Sequence, residues 1–150
     1  MTLARLAYNA DNTAKITSVG AIPLLVQLLR PSSPSEVQAT AAGWLMNLAT
    51  NADNRVAIAA AGAIPLLVQQ LGPGAPPDVQ KSVVGALWCL TLNADNKVTI
   101  AAAGAIPLLV QLLGSGSPPE VQGMAAAVLE SLADRNADNR AAIAAARRIS

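Results

Sequence analysis

The chain has 150 residues, of which 53% are hydrophobic and only 2% aromatic, and its formal net charge is +1. This charge disfavours a nucleic-acid partner, because duplex binding needs several clustered Lys and Arg side chains to neutralise phosphates. A single Cys excludes an internal disulfide, and the absence of His removes most zinc and transition-metal sites, so no cofactor is expected. The Ala, Leu, Ile and Val content is typical of one all-α domain with closely packed helices.

The first residues, 1–5, contain neither a basic segment followed by an apolar stretch nor a Gly for myristoylation. Two uncharged runs, 56–77 and 98–119, have a length of 22 residues that could suit a membrane span. Both are interrupted by Gly-Ala-Ile-Pro, which cannot continue a single spanning helix. We therefore expect no membrane partner, and a cytoplasmic or nuclear location.

The tetrapeptide Asn-Ala-Asp-Asn recurs at residues 9–12, 51–54, 93–96 and 136–139, at steps of 42, 42 and 43 residues. A period near 40 in a helical sequence indicates a solenoid of stacked units that bury their apolar faces against each other. The predicted units are a partial third helix, three repeats and the partial first helix of a fourth repeat, at residues 1–8, 9–50, 51–92, 93–135 and 136–150.

The second repeat illustrates the three predicted helices of each unit. Asn51 can cap the first helix with its side-chain oxygen, and Gly62 can end it in the left-handed conformation. Pro65 suits the first turn of the second helix, where its missing N–H costs little. Residues 72–76, rich in Gly and Pro, end that helix, and residues 77–80 then open the long third helix.

The third helices are predicted at about residues 34–50, 76–92 and 118–134, each with a pair of Leu on its core-facing side. Two of them begin with Ser-x-x-Glu, at Ser33 and Ser117, which predicts capping boxes. Seven of the nine acidic residues fall in helix first turns, where the helix dipole favours them, so we interpret them as structural. The partial first helix of the fourth repeat lacks the Gly stop and can continue through Arg147 and Arg148. The charges of these two residues suit a helix C-terminus or a partner contact.

These motifs closely resemble the armadillo repeat family over nearly the whole chain. The shared pattern is Asn-x-x-Asn-(Lys/Arg), Ala-Gly-Ala-Ile-Pro-Leu-Leu-Val-Gln-Leu-Leu, Glu-Val-Gln and Ala-x-x-Leu-x-(Asn)-Leu-Ala. The resemblance implies an all-α, right-handed solenoid of three-helix repeats. It also implies a non-enzymatic module whose third helices line a concave groove for extended segments of partner proteins.

The family's groove carries an Asn ladder, with a Trp one turn earlier, and this chain keeps only part of it. The ladder positions fall on Arg5, Asn47, Cys89 and Ser131, so Asn47 alone retains the amide that both donates and accepts. The Trp positions fall on Gly43, Gly85 and Ala127.

The two Trp residues stand elsewhere on the third helices. Trp44 falls on the core-facing side, whereas Trp88 is predicted to lie across Gly85, because helical side chains point back over the preceding turn. Packing between repeats is the alternative role for both indoles.

Eight residues of the third helices are the candidate peptide contacts: Asn47, Trp88, Cys89, Ser131, Thr40, Ser82, Gly85 and Glu130. Structural alternatives stand beside them. Asn47 can cap local carbonyls, Cys89 can be a small neutral residue without a nearby base, and Glu130 can belong to a solvated face with Asp134.

The sequence thus favours a scaffold that binds a protein or an extended peptide. The alternatives are a module that self-associates through its end faces as a homo-oligomer, and a fragment of a longer array. Catalysis is disfavoured because the chain has no His, no nucleophile with a recognisable base and no Gly-rich phosphate loop.

Overall fold

The computed structural model describes residues 20–114 and 116–149, which form helices and no strand. The helices of these residues are α1 (Ala21–Gln27), α2 (Ser35–Leu48), α3 (Ala52–Ala60), α4 (Ala63–Gln69), α5 (Pro77–Leu90), α6 (Ala94–Ala102), α7 (Ala105–Leu112), α8 (Pro119–Ala133) and α9 (Ala137–Ile149). The predicted partial helix at 1–8, including Arg5, and the first helix of the first repeat lie outside the described residues.

The helices follow the predicted order of three per repeat. Helices α3, α4 and α5 form the second repeat, and α6, α7 and α8 form the third. The most extensive packing between helices joins α5 to the third helices on either side of it, α2 and α8. The all-α solenoid predicted from the repeats is therefore confirmed, with its third helices side by side.

Glycine forms the corner between the first and second helices of each repeat. Gly20, Gly62 and Gly104 have φ values of 80°, 87° and 89°, in the left-handed region that other residues resist. Pro65 lies in the first turn of α4, as predicted, where no intrahelical N–H bond is lost. Helices α3 and α6 thus end abruptly, and the second helices α1, α4 and α7 leave in a fixed direction.

In the described residues, the first Asn of the Asn-x-x-Asn pair caps a first helix. The Asn51 side-chain oxygen accepts a hydrogen bond from the Asn54 backbone N–H at 3.2 Å, which confirms the predicted cap. The Asn93 side chain accepts from the Asn96 N–H in the same way, at 2.9 Å. This contact satisfies one of the backbone donors that a helix start leaves unpaired.

The second Asn of the pair is buried and joins neighbouring elements, a role that the sequence analysis missed. Asn54 Nδ2 donates to the Leu48 carbonyl at 2.9 Å, and Asn96 Nδ2 donates to the Leu90 carbonyl at 3.1 Å. Asn96 Nδ2 also lies 3.4 Å from the carbonyl oxygen of Arg55, in the preceding repeat. One amide therefore ties a first helix both to the end of the preceding third helix and to the preceding first helix.

The predicted capping boxes are wrong. Pro34 and Pro118 occupy the N-cap positions of α2 and α8, with ψ of 151° and 148°, and neither helix has a side-chain cap hydrogen bond. Because each Pro is extended, the helix begins one residue too late for Ser33 or Ser117 to cap it.

A Gln in the first turns of each third helix makes the local connection instead. The Nε2 atoms of Gln38, Gln80 and Gln122 donate to the carbonyls of Arg30, Gly72 and Gly114 at 2.9, 3.1 and 2.7 Å. Each bond spans eight residues and fastens the start of a third helix to the end of the second helix or the loop after it.

The core consists of aliphatic side chains between stacked repeats. The predicted Leu pairs of the third helices are all buried: Leu45 and Leu48, Leu87 and Leu90, Leu129 and Leu132. Small residues such as Ala41, Ala42, Ala86 and Ala125 are buried beside them. This composition lets the helices approach closely without aromatic side chains between them.

The segment from the end of α8 to the next cap contains the extra residue that lengthens the third step of the repeat. Arg135 has a φ of 55° and is the one non-Gly residue with positive φ in the described part of the chain. It lies between α8 and the cap residue Asn136; three residues separate Leu132 from Asn136, whereas two separate the equivalent Leu90 from Asn93. Helix α9 then runs to Ile149, because the sequence lacks the Gly that ends α3 and α6.

Candidate functional site

The candidate groove residues lie on three third helices that pack side by side. Asn47 is near the end of α2, Cys89 near the end of α5 and Ser131 near the end of α8, at steps of 42 residues. Because the repeats have one register, these three side chains occupy equivalent positions of successive helices. All three are partly buried.

Asn47 retains an amide available for a ligand. Within the described residues, its side chain makes no hydrogen bond, whereas its backbone carbonyl accepts one from Thr50 Oγ1 at 2.9 Å. An Asn side chain offers two donors and one carbonyl oxygen, so it can pair with both groups of a peptide unit.

Trp88 is the most exposed aromatic side chain of the described residues, with 48% of its surface accessible. Trp44, in contrast, is partly buried and packs against the aliphatic core, as its position on the core-facing side predicts. Trp88 thus presents a large, rigid apolar surface to solvent on α5.

The space beside Gly85 is filled by methionine, not by the Trp88 indole as predicted. A Cβ built on Gly85 would lie 2.7 Å from Met46 Sδ and 3.2 Å from Met124 Cε. Met46 comes from α2 and Met124 from α8, so both neighbouring helices reach over α5 at this point. The expectation overlooked side chains from adjacent repeats, because it considered only the turn of α5 that precedes Trp88.

Both methionines are residues that the sequence analysis missed. In the 42-residue register, Met46 corresponds to Trp88, and Met124 corresponds to Ser82 and Thr40. The 42-residue register could have identified both methionines, since residues at positions equivalent to the groove candidates belong to the same surface.

Cys89 is a free, partly buried thiol. Burial raises the pKa of this thiol, and the positive charge of Arg55 opposes that shift only in part. Since the raised pKa keeps sulfur protonated at neutral pH, Cys89 presents a small neutral side chain and not a nucleophilic thiolate.

Ser131 is held at the contact between the second and third repeats. Its Oγ donates to Thr91 Oγ1 at 2.6 Å, and Thr91 Oγ1 donates in turn to the Trp88 carbonyl at 2.5 Å. The Ser131 hydroxyl therefore fixes α8 against the end of α5, while its oxygen can still accept a hydrogen bond.

The remaining candidates are spread along the third helices. Thr40 is exposed, and its Oγ1 donates to the Glu36 carbonyl at 2.8 Å, one turn earlier on α2. Ser82 is partly buried near the start of α5, and Glu130 is exposed near the end of α8. These residues flank the central positions without forming one compact cluster.

Charge near the starts of α5 and α8 is paired. Lys81 Nζ lies 2.9 Å from Glu120 Oε2, which joins α5 to α8, and both side chains are exposed. The hydrogen bond and the negative charge of Glu120 raise the pKa of Lys81, so the amine stays charged at neutral pH. Exposed pairs of this kind add little stability but neutralise local charge.

Two further features of the described residues bear on function. They include no group of three or more His, Cys, Asp or Glu side chains placed to hold a metal ion. None of their helices has the length and apolar character needed to cross a membrane.

Comparison with known proteins gives the family. The profile of the Armadillo/beta-catenin-like repeat matches residues 9–50, 51–91 and 93–134. No curated protein matches the chain significantly in sequence.

Solved structures with the same fold include designed proteins. One, described as an engineered protein, is 34% identical with a TM-score of 0.89, over 97% of this chain and 59% of that chain. A computationally designed armadillo repeat protein for modular peptide recognition is 28% identical, with a TM-score of 0.87, over 97% and 61%. A designed armadillo repeat protein in complex with the peptide (KR)4 is also 28% identical, with a TM-score of 0.86 and the same coverage.

This chain thus spans about three fifths of the length of those proteins. The family profile covers three consecutive repeats and most of the sequence. The chain belongs to the Armadillo/beta-catenin-like repeat family.

Proposed function

We propose that this chain is a non-enzymatic scaffold that binds an extended segment of a partner protein along α2, α5 and α8. The observation that carries the proposal is the row of Asn47, Cys89 and Ser131 on successive third helices, next to the exposed Trp88. The names of two designed relatives, one for modular peptide recognition and one in complex with (KR)4, support a peptide ligand for this fold.

The dimensions of the helix row suit an extended chain. Packed helices lie about 8–10 Å apart, and an extended segment rises about 3.3 Å per residue, so each repeat corresponds to roughly three ligand residues. Three third helices would then accommodate about six to nine residues. In this arrangement the Asn47 amide pairs with a peptide unit, and the Trp88 indole packs against a ligand side chain.

A peptide-library screen followed by affinity measurements tests this proposal. For a peptide that binds the unaltered chain, Trp88→Ala is expected to raise Kd by about thirtyfold, the effect of losing a hot-spot aromatic worth about 2 kcal/mol. Asn47→Ala is expected to raise Kd by about tenfold, since it removes hydrogen bonds to the ligand backbone. The matched control is Val56→Ser, which alters an exposed apolar residue of α3, outside the groove.

Circular dichroism establishes that each variant remains folded. Unchanged affinity in folded Asn47 and Trp88 variants would show that the peptide binds elsewhere. If no peptide binds while the mass measured by light scattering rises with concentration, association through the end faces replaces peptide binding as the function.

A further inference from the structure

The exposed side of α5 has a buried residue at its centre. Lys81 and Trp88 are exposed on this side, and Ser82 and Cys89 are partly exposed, yet Gly85 between them is buried. Residues three, four and seven positions apart share one side of a helix, so Gly85 lies on the exposed side of α5. Its burial therefore requires that atoms of other residues cover it on that side. The atoms nearest to it are those of Met46 and Met124.

We call Met46, Gly85 and Met124 the methionine saddle. Met46 Sδ lies 2.7 Å, and Met124 Cε 3.2 Å, from the position of a Cβ on Gly85, so the two side chains reach α5 from opposite neighbours. Both methionines pack against the core but remain partly exposed. Methionine is flexible and polarisable and adapts to apolar ligands of different shape.

The third-helix residues next to the saddle are also uncharged. Trp88 lies about one helical turn beyond Gly85 with 48% of its surface exposed, and Cys89 carries a protonated thiol. The described segments 37–48, 82–90 and 121–129, which form the middle of α2, α5 and α8, contain no charged residue.

The charges of these helices lie towards their ends. Glu36 and the Lys81–Glu120 pair lie at the starts, and Glu130 lies towards the end of α8. A basic ligand side chain placed over the saddle would lose water without gaining an ionic partner, and the positive charge of Arg55, which acts on Cys89, would repel it.

We propose, building on the proposed function, that the methionine saddle and Trp88 together bind an uncharged apolar side chain of the partner segment. The groove therefore selects segments whose central residues are aliphatic, and it discriminates against segments with alternating basic residues. This preference differs from the (KR)4 ligand of the designed relative.

Methyl-labelled methionine reports on this site directly, because the chain has only three methionines and two belong to the saddle. The chain labelled with [methyl-13C]methionine is titrated with an octapeptide of alternating Leu and Ser, and separately with (KR)4. We expect the Met46 and Met124 methyl resonances to shift saturably with the Leu-Ser peptide. Its Kd is expected to be at least about tenfold lower than that of (KR)4, the effect of burying about two methylene groups.

Substitutions at the saddle separate binding from folding. Met124→Ser introduces the residue type that α5 has at the equivalent position 82, and we expect about fivefold weaker binding of the Leu-Ser peptide. Met46→Leu conserves apolar volume and should leave this affinity nearly unchanged. Val56→Ser is again the control outside the groove.

The outcomes distinguish this inference from the function on which it rests. If (KR)4 binds as tightly as the Leu-Ser peptide, or if the latter binds without shifting the Met46 and Met124 resonances, the saddle is not an apolar site, although the chain remains a peptide binder. If neither these peptides nor any member of the library binds, both proposals are wrong.

Discussion

Gly43 and Gly85 occupy equivalent positions of α2 and α5 but have different surroundings. A Cβ on Gly43 would meet nothing within 4 Å, whereas one on Gly85 would meet Met46 Sδ at 2.7 Å. The same residue type therefore has two physical roles. At Gly43 the missing side chain leaves open space, and at Gly85 it makes room for side chains from both neighbouring repeats.

Alanine at these two positions is predicted to have different effects on stability. Gly43→Ala should raise the free energy of unfolding by about 0.5–1 kcal/mol. Position 43 lies inside a helix, and Ala loses less conformational entropy than Gly when the chain folds. Gly85→Ala should be less stable than Gly43→Ala by about 1 kcal/mol or more, because Met46 must move to admit the methyl group. Urea unfolding of both variants measures the difference.

The double variant Met46→Ala/Gly85→Ala provides the control for the methionine contact. Removing the Met46 side chain should remove most of the additional cost of Ala at position 85, relative to Met46→Ala alone, and leave only that of the Met124 contact. Equal stabilisation by Gly43→Ala and Gly85→Ala would contradict the close contact at Gly85.

A second prediction concerns Arg135, whose φ of 55° is unfavourable for a residue with a Cβ. Arg135→Gly should stabilise the chain by about 0.5–1 kcal/mol, the left-handed penalty minus the added entropy of Gly in the unfolded state. Arg135→Ala retains the penalty and should give no gain. Thermal unfolding compares the two variants, and stabilisation by Ala but not by Gly would refute this account.

At the scale of helices, the sequence predicted most boundaries because the residues that define them act locally. Asn51 caps its own helix, and Gly62 changes the direction of its own backbone. The capping boxes failed because a motif of Ser and Glu does not reveal that Pro34 adopts the extended conformation. The Gln38 bond to Arg30 was missed because it spans eight residues and depends on how the loop folds.

The two Asn residues of the repeated motif are predicted to contribute unequally. Asn93→Ala removes a helix cap and should cost about 1 kcal/mol of unfolding free energy. Asn96→Ala should cost about 2 kcal/mol, because it removes a buried amide that donates to the carbonyls of both Leu90 and Arg55, although the Leu90 carbonyl keeps the Asn93 N–H.

Urea unfolding of the two single variants checks this order. The stability contributed by Asn96 comes from contacts with two other helices, whereas that of Asn93 comes from one helix end. A larger loss for Asn93→Ala than for Asn96→Ala would show that the connections made by the buried amide add little.

At the scale of the whole molecule, α5 is the helix packed between two others of its kind, α2 and α8. Leu87→Ala should therefore destabilise the chain by about 2–5 kcal/mol, through the cavity left at a fully buried position. Leu129→Ala, on the last third helix, should cost about 1 kcal/mol less because that site can relax more easily.

Chemical denaturation with both stability and m-value measured tests the central position. Since the units of a solenoid are stable mainly through their neighbours, weakening α5 should also lower the m-value as the ends unfold separately. A larger effect for Leu129→Ala than for Leu87→Ala would contradict the importance of the central repeat.

The fold was more predictable than the candidate site, for a physical reason. The fold depends on features that occur in every copy, such as the buried Leu pairs and the left-handed Gly corners. The saddle depends on Met46 and Met124, each of which occurs in one copy only and meets Gly85 across a different repeat interface. Periodicity cannot show such contacts, because they arise where the copies differ.

The constant spacing of caps and corners has a consequence for how such a chain can change length. Deleting residues 51–92 would join Thr50 directly to Asn93, so the next helix would still begin with Asn and the Gly corner would keep its distance. The same deletion would bring Met46 opposite Ala127, the counterpart of Gly85, whose methyl group occupies the space that the saddle needs. Recombination between copies can therefore preserve the architecture at once, while the proposed binding surface must be selected again after every such event.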